Sequence, residues 1–484
     1  MKKYSLLLFA LMSLGIGAIQ AQYTILHSFN DTLTGVIPIS SLTQAGGKFF
    51  GMTYGGGLFN YGCIFSIDTN GVNYKDLFDF NGIDGKYPGD VINGESLTLS
   101  GNRLYGTTSS GGVNASGNIF SIDTNGSGFT DLFDFNSTNG YQPTGLLILS
   151  GNELFGTTWG GGTGGHGGGV VFSLHTDGSG FKVLYNFKGV NSGNGYSAYP
   201  YGGVILTHNT LFGMAYNGGT SNAGTIYSID TNGNGYKDIF YFNDTNGAGP
   251  VSTLTLSGNK FYGMTGYGGV HQDGVIFSID TNGYGYKKLF DFNRSYGDNP
   301  FGGLSLSGKM LFGMTEAGGL DNYGEIFSID TDGSNFNRIL HFTDTNGRYP
   351  LSSLTISGNV LYGLTPDGGA DRYGVLFRFD TSTRDSIILA VKKISANTNS
   401  VTISPNPSKG IFRITLSHSE LVSGAQTIIE IYSVLGEKVA GTTLKQVQGD
   451  NLINVSEQPN GVYLYRVVGE DGSLIGEGKI VVQK

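Results

Sequence analysis

The residues whose types and spacing suit chemistry are concentrated in one stretch of this 484-residue chain. Trp159-Gly160-Gly161-Gly162 leads through His166 to Val170, and a long segment from Lys188 to Gly203 carries Tyr196, Tyr199 and Tyr201. Trp159 is the one tryptophan of the chain. Aromatic rings held together on a surface stack on sugar rings or other flat ligands, and nearby glycines let a ligand approach the backbone. The other reading is an insertion whose rings pack over the edge of the fold. Trp159, His166, Tyr196, Tyr199 and Tyr201 are therefore the candidate ligand-binding residues. His175 stands where the same segment elsewhere carries Asp, which suits a turn variant rather than a ligand.

Other chemistries lack their parts. Asp-Thr-Asn-Gly-Asn-Gly, from Asp230 to Gly235, spaces oxygen atoms as a calcium loop does. No bidentate acid closes it, and a hairpin turn accounts for the Asn-Gly. Seven scattered histidines form no H-E-x-x-H, and the lone Cys63 excludes an intramolecular disulfide and a cysteine-based metal cluster. There is no G-x-S-x-G elbow and no phosphate-cradling loop before a helix. Paired carboxylates for glycoside hydrolysis are a matter of spatial separation and stay open. No catalytic residue, metal ligand or cofactor is assigned. The formal charge of −9 becomes −11 once Lys2 and Lys3 are removed, which disfavours nucleic acid as a partner.

The elements that must position these residues come from a repeat. The phrase IFSIDTNG returns with its acid at Asp68, Asp123, Asp230, Asp280 and Asp330, with His175 in one copy and a degenerate ending at Asp380. The spacings are 55, 52, 55, 50, 50 and 50 residues. Between these anchors the order of pieces is constant: an aromatic strand such as KDLFDFN, a Pro-containing loop, LTLSGN, LYGMT, and a Gly-Gly loop. Period-two segments rich in Phe, Tyr, Leu, Ile and Thr, bounded by Gly, Asn and Pro, read as strands, four per copy. The 82 glycines follow no three-residue period, which excludes collagen, and 31 Phe with 28 Tyr supply a core that a disordered chain lacks. Seven copies of four strands predict an all-β, seven-bladed kelch-like β-propeller over residues 22–383.

Four finer expectations follow. The aromatic of the IFSID strand (Phe65, Phe120, Phe172, Tyr227, Phe277, Phe327, Phe377) should be buried between blades. The glycine after the aromatic of the LYGMT strand (Gly51, Gly106, Gly156, Gly213, Gly263, Gly313, Gly363) should lie at the crowded axis, where another backbone comes close. TILHSFN at the start, with Phe29 matching Phe80, is one LFDFN-type strand without a blade. It should pair with Val375–Asp380; the competing segment is Ser386–Lys393. The Gly-Gly and Pro loops should share one face, and their variable lengths make it the place for a ligand.

The repeat resembles the choice-of-anchor tandem-repeat GloVer family over about residues 23–383. Its LYGTT-x-x-GG, G-x-x-F, and L-x-x-F followed by G-x-x-P are met by Leu104 to Thr108, Gly111-Gly112, Gly117 to Phe120, Leu132 to Phe135 and Gly140 to Pro143. The resemblance implies surface proteins that differ in how their ends are attached, and no known reaction.

The ends read as address labels. Met1 to Ala21, with Lys2, Lys3 and the apolar run Leu6 to Leu14, has the layout of a cleavable secretory signal, and cleavage after Ala21 leaves Gln22 first. That run is shorter than the ~20 residues that span a bilayer, and no transmembrane segment is expected in the mature chain. Residues 384–401 form a polar linker, and 402–484 read as a small Ig-like β-sandwich with strands around Ile411 to Leu416 and Val462 to Val467. Pro405-Asn406-Pro407 with Gly410, Tyr432 to Gly436 and Asn460 to Tyr463 resemble the type A C-terminal sorting domain of the type IX (Por) secretion system. This implies engagement of that secretion machinery and delivery outside the outer membrane. The expectation is a secreted, non-catalytic cell-surface module that binds a glycan or a surface protein. The alternatives are an extracellular polysaccharide-degrading enzyme and a passive structural surface protein.

Overall fold

The computed structural model describes residues 22–30, 34–89, 96–165, 167–189 and 197–382, and in the C-terminal part 401–404, 406, 408–409, 411–416, 427–433, 438–444, 451–469 and 474–484. The signal segment 1–21, linker residues 384–400 and the competing strand Ser386–Lys393 lie outside these. The chain divides into two compact units between Thr381 and Ser382. Among the described residues it is all-β, with one short 3-10 turn at Arg294–Tyr296. No helix among the described residues is long and apolar enough to cross a membrane.

Among the described residues the first unit holds seven antiparallel sheets. The first runs Thr43–Ala45, Lys48–Thr53, Cys63–Asp68 and Lys75–Asp79, each strand paired with the next in the chain. Five further sheets repeat this order, and the second adds Lys86–Pro88 beside Thr98–Ser100 on the strand Arg103–Ser110. In the last sheet the fourth strand is N-terminal: Tyr23–Ser28 pairs with Val375–Asp380, Tyr23 opposite Phe379. This is the pairing expected from Phe29.

The third-strand aromatics explain the repetition. Phe65, Phe120, Phe172, Tyr227, Phe277, Phe327 and Phe377 are all fully buried. Each meets the edge of a phenylalanine from the preceding sheet, as Phe80 meets Phe120 with centroids 5.2 Å apart and Phe342 meets Phe377 at 5.5 Å. Phe29, just after the N-terminal strand, does the same for Phe65 at 5.5 Å. Burial of each such ring stabilises by about 1.5–3 kcal/mol. The repeated glycine has a different role from the one expected. Gly51 lies opposite Phe65 on the neighbouring strand of its own sheet, and a Cβ there would sit 2.5 Å from the Phe65 ring. A side-chain ring, not a second backbone at an axis, excludes the Cβ.

Apolar clusters join each sheet to the next. One spans Phe50, Ile64 and Phe80 of the first sheet and Leu104 and Phe120 of the second. Another spans Tyr362, Leu364 and Leu376 of the seventh and Phe49, Phe65 and Ile67 of the first. The short first strands add hydrogen bonds in the same order: Thr43 Oγ1 donates to the Leu97 carbonyl at 2.5 Å, Thr255 to Leu304 at 2.6 Å, and Thr355 of the seventh sheet to Leu42 at 2.8 Å. The contacts between sheets therefore run in a cycle.

The second unit has a three-stranded sheet (Val401–Ser404, Ile411–Leu416, Asn451–Asn454) and a four-stranded one (Lys438–Leu444, Thr427–Ser433, Gly461–Gly469, Leu474–Val482). One core draws Phe412 and Ile453 from the first and Ile429, Tyr463, Val467 and Ile480 from the second. Strand alternation follows the sequence: Tyr463, Tyr465 and Val467 are buried, while Val462 and Leu464 are exposed.

Candidate functional site

Two loops of each copy meet beside the short first strand. The Gly-Gly loop after the second strand pairs with the Pro loop before the first, through the bridges Val36–Gly55, Ala198–Asn217, Ala248–Tyr267, Asp298–Ala317 and Arg348–Asp367. A threonine ending the second strand sets the turn: Thr265 Oγ1 donates to the Tyr267 carbonyl at 2.8 Å and Thr315 Oγ1 to Ala317 at 3.0 Å. The residue before the proline is left-handed in every copy, with φ of 58° at Ile37 and Tyr87, 51° at Gln142, 59° at Tyr199 and Tyr349, 54° at Asn299, and 58° at Gly249. A non-glycine residue before proline is normally extended, and this conformation costs on the order of 1–3 kcal/mol unless its surroundings hold it. Here they do. The Tyr199 N–H donates to the Gly168 carbonyl of the preceding sheet's loop at 2.8 Å, and the Tyr199 carbonyl accepts from Tyr216 N–H at 3.0 Å. The Asn299 carbonyl likewise accepts from Glu316 N–H at 3.0 Å.

On this frame the loops of the third to sixth sheets enclose a pocket of about 510 Å³. Its aromatic lining is Trp159, Tyr199, Tyr201, Tyr216, Tyr267 and Phe301, with Asn217, Val251, Asn299 and Glu316 between them. The rings form a continuous arc. Trp159 stacks on Tyr199 with centroids 5.1 Å apart and planes 21° from parallel. Tyr201 meets Tyr216 at 5.5 Å, Tyr216 meets Tyr267 at 6.5 Å, and Tyr267 meets Phe301 at 5.9 Å, each tilted well away from parallel. Beneath lies a small apolar cluster of Ile39, Val251, Phe301 and Leu351. The Asn299 amide, with its nitrogen turned toward Asp298 Oδ1, is 3.1 Å from it. Burial holds the Glu316 carboxyl above its usual range, Asp298 adds to this, and Asn299 opposes it. Burial and Asp273 likewise raise Asp298, against Arg294. The Tyr216 and Tyr267 hydroxyls are raised by burial too.

Of the residues named from sequence, Trp159, Tyr199 and Tyr201 come together on this pocket. His166 and Tyr196 lie outside the described residues. Tyr216, Tyr267, Phe301, Asn217, Asn299 and Glu316 were missed. For Tyr216 and Glu316 the signal was positional: the third residue after the repeated glycine is Tyr54, Ser109, Trp159, Tyr216, Gly266, Glu316 or Pro366, a varying site inside a constant frame; Asn217 and Tyr267 are the residue that follows it, and Asn299 and Phe301 flank Pro300. His175 keeps the turn of its relatives, its N–H donating to the Ser179 carbonyl at 2.9 Å as Asp230 does to Asn234 at 3.0 Å. No group of three or more His, Cys, Asp or Glu is placed to hold a metal ion among the described residues.

Several solved structures are similar at low identity. A Mycobacterium tuberculosis puromycin-hydrolysing peptidase is 12% identical over 73% of this chain and 53% of its own, with a TM-score of 0.48. Polysaccharide lyase Uly1 is 10% identical over 72% and 91%, TM-score 0.43. Trypanosoma rangeli sialidase in complex with sialic acid is 9% identical over 95% and 88%, TM-score 0.41. The chain spans about half the length of the first of these (53%). No curated protein sequence matches it. Residues 402–483 match the secretion system C-terminal sorting domain, so the protein is exported to the cell surface or secreted. Residues 16–198, 190–377 and 297–413 match the Gloeobacter/Verrucomicrobia repeat, and the chain belongs to that repeat family.

Proposed function

We propose that the protein is a secreted cell-surface binding module: a seven-bladed kelch-like propeller that holds a glycan in the aromatic pocket. In this reading residues 1–21 are removed, 22–383 form the propeller, 384–401 link it to an Ig-like sorting sandwich at 402–484, and the type IX machinery is the export partner. The cyclic order of sheet contacts, from Phe29 against Phe65 to Phe342 against Phe377, supports the propeller. The observation that carries the binding role is the arc of rings from Trp159 to Phe301 around about 510 Å³. That volume suits a small ligand or a few sugar units, whereas a protein partner needs a broad surface of about 800 Å². Aromatic platforms with few polar groups orient sugar rings by stacking while amides and carboxylates take the hydroxyls.

Trp159, the sole tryptophan, reports on its own site. Titration with an oligosaccharide panel should change its fluorescence saturably, and Tyr267→Ala should weaken that binding at least tenfold. A panel that leaves the emission unmoved, with no ligand retained by equilibrium dialysis, rejects the reading. A second reading, glycoside cleavage, is favoured by Glu316 and Asp298, two carboxyls held above their usual range beside the pocket. New reducing ends, abolished by Glu316→Gln, would establish it.

A further inference from the structure

Resting on the glycan-binding reading above, we infer that the pocket selects a sugar carrying a free, positively charged amine. Among the described residues the lining holds one carboxylic acid, Glu316, and no Lys, Arg or His. Asp298, the neighbour of Glu316, pairs with Arg294, whose Nε is 3.7 Å from Asp298 Oδ2 and whose side chain is 82% exposed, so Arg294 is a solvent-facing partner rather than part of the pocket lining. Aromatic faces present negative charge density, so the arc and Glu316 attract the same sign of ligand and repel uronic or other acidic sugars.

Glu316 is not there to build the loop. The hydrogen bond that fixes its position is made by its backbone N–H to the Asn299 carbonyl, and Tyr54 and Tyr216 make the same bond to Ile37 and Tyr199 at 3.0 Å. The other copies place Tyr54, Ser109, Trp159, Tyr216, Gly266 and Pro366 at this site, none of them charged. A carboxyl introduced once at this site, in a copy that lines the same pocket as Trp159 and Tyr199, is left with a desolvation cost that the arrival of a cation would relieve. The rings favour an amino sugar over a bare ammonium ion. Trp159 and Tyr199 stack on one another with centroids 5.1 Å apart and planes 21° from parallel, too close to act as opposed walls of a cage around a cation. The volume of about 510 Å³ also exceeds what one small ammonium ion fills.

The test titrates Trp159 fluorescence of the full mature chain with three probes: a β-1,4-glucosamine hexamer, the same hexamer fully N-acetylated, and tetramethylammonium. The free-amine hexamer should bind at least tenfold more tightly than the acetylated one and than tetramethylammonium. Glu316→Gln, and separately Glu316→Ser, which installs the residue of the second copy, should bring the two hexamers within about twofold while the melting temperature holds. Equal binding of both hexamers to the unmodified protein, or a preference that survives both substitutions, overturns the amine inference and leaves the glycan reading standing. Tetramethylammonium binding as tightly as the free-amine hexamer overturns the sugar part. Failure of all three probes, with another glycan of the panel binding, overturns the inference alone; failure of every glycan removes both.

Discussion

Glu325 opens the third strand of its sheet with its side chain fully buried, where the other copies place Cys63, Asn118, Val170, Thr225, Val275 and Val375. His341 Nδ1 lies 2.7 Å from its Oε1, and Arg338 is 3.8 Å away. Burial pushes the Glu325 carboxyl up to about 7 against the pull of Arg338. Burial, with a contribution from Asp79, does the same for Asp76, also to about 7. An acid whose folded value is raised stabilises the fold below its unfolded value and loses that contribution as pH rises through the folded one. His341 is held below its usual value by burial and Arg338, which works in the opposite direction below about pH 6.5. The loss should therefore begin near the unfolded values, about 4 to 4.5, and be complete by about pH 7, with His341 offsetting part of it below about 6.5; the part that falls above pH 5.5 is at most about 2 kcal/mol per acid. Thermal melts at pH 5.5 and 8 should show a lower midpoint at pH 8, with the difference reduced in Glu325→Gln and in Asp76→Asn. An unchanged difference in both variants would place its origin elsewhere. Tyr227 is the one tyrosine among the third-strand aromatics, and its buried hydroxyl has no hydrogen-bond partner among the described residues. Removing an unpaired buried hydroxyl should help, so Tyr227→Phe is expected to raise stability by about 1 kcal/mol in calorimetry.

At the scale of the element, the glycine opposite each buried ring and the N-terminal strand are the two devices to perturb. A methyl at Gly263 would sit 2.6 Å from the Phe277 ring, so Gly263→Ala should cost about 1–3 kcal/mol in urea unfolding, as overpacking does. No loss there would show that the sheet absorbs the ring elsewhere. Phe29 is fully buried between the last sheet and the first, and Tyr23 stacks on Phe377 at 5.5 Å as Phe129 does on Phe120 at 5.6 Å. Phe29→Ala should then cost about 3–5 kcal/mol, like other core phenylalanine truncations. The strands and the N-terminal pairing were legible because period-two patterning and the Phe29–Phe80 equivalence are local properties of the chain. The role of the repeated glycine was not, because a ring across a strand pair and a backbone at an axis leave the same mark in sequence: a missing Cβ. The pocket was half legible. Trp159, Tyr199 and Tyr201 border irregular loops that draw the eye, whereas Tyr216, Tyr267, Phe301 and Glu316, at equivalent or neighbouring repeat positions, lie in copies of more ordinary length and converge only once four sheets are placed side by side.

At the scale of the whole chain, the proposed recognition pocket and the sorting domain belong to different units, and each function should be separable from the other. The sorting unit has its own core, and the strand Gly461–Gly469 lies between Thr427–Ser433 and Leu474–Val482 in its four-stranded sheet. Deleting Val462 to Lys484 removes that strand and its outer neighbour, and with them Tyr463, Tyr465, Val467, Ile480 and Val482 from the core. What remains of the unit has too little apolar surface to fold, so the truncated protein should accumulate in the periplasm while its repeat unit still gives the Trp159 response to ligand. Retention alone has a trivial cause if the whole chain misfolds, and the preserved fluorescence titration excludes it. The converse experiment places residues 402–484 behind a periplasmic reporter, which should then reach the cell surface in a host with the type IX machinery. Surface display of the truncated chain, or a fused reporter that stays in the periplasm, would mean that the export signal is not confined to the C-terminal unit and that the repeats themselves take part in sorting.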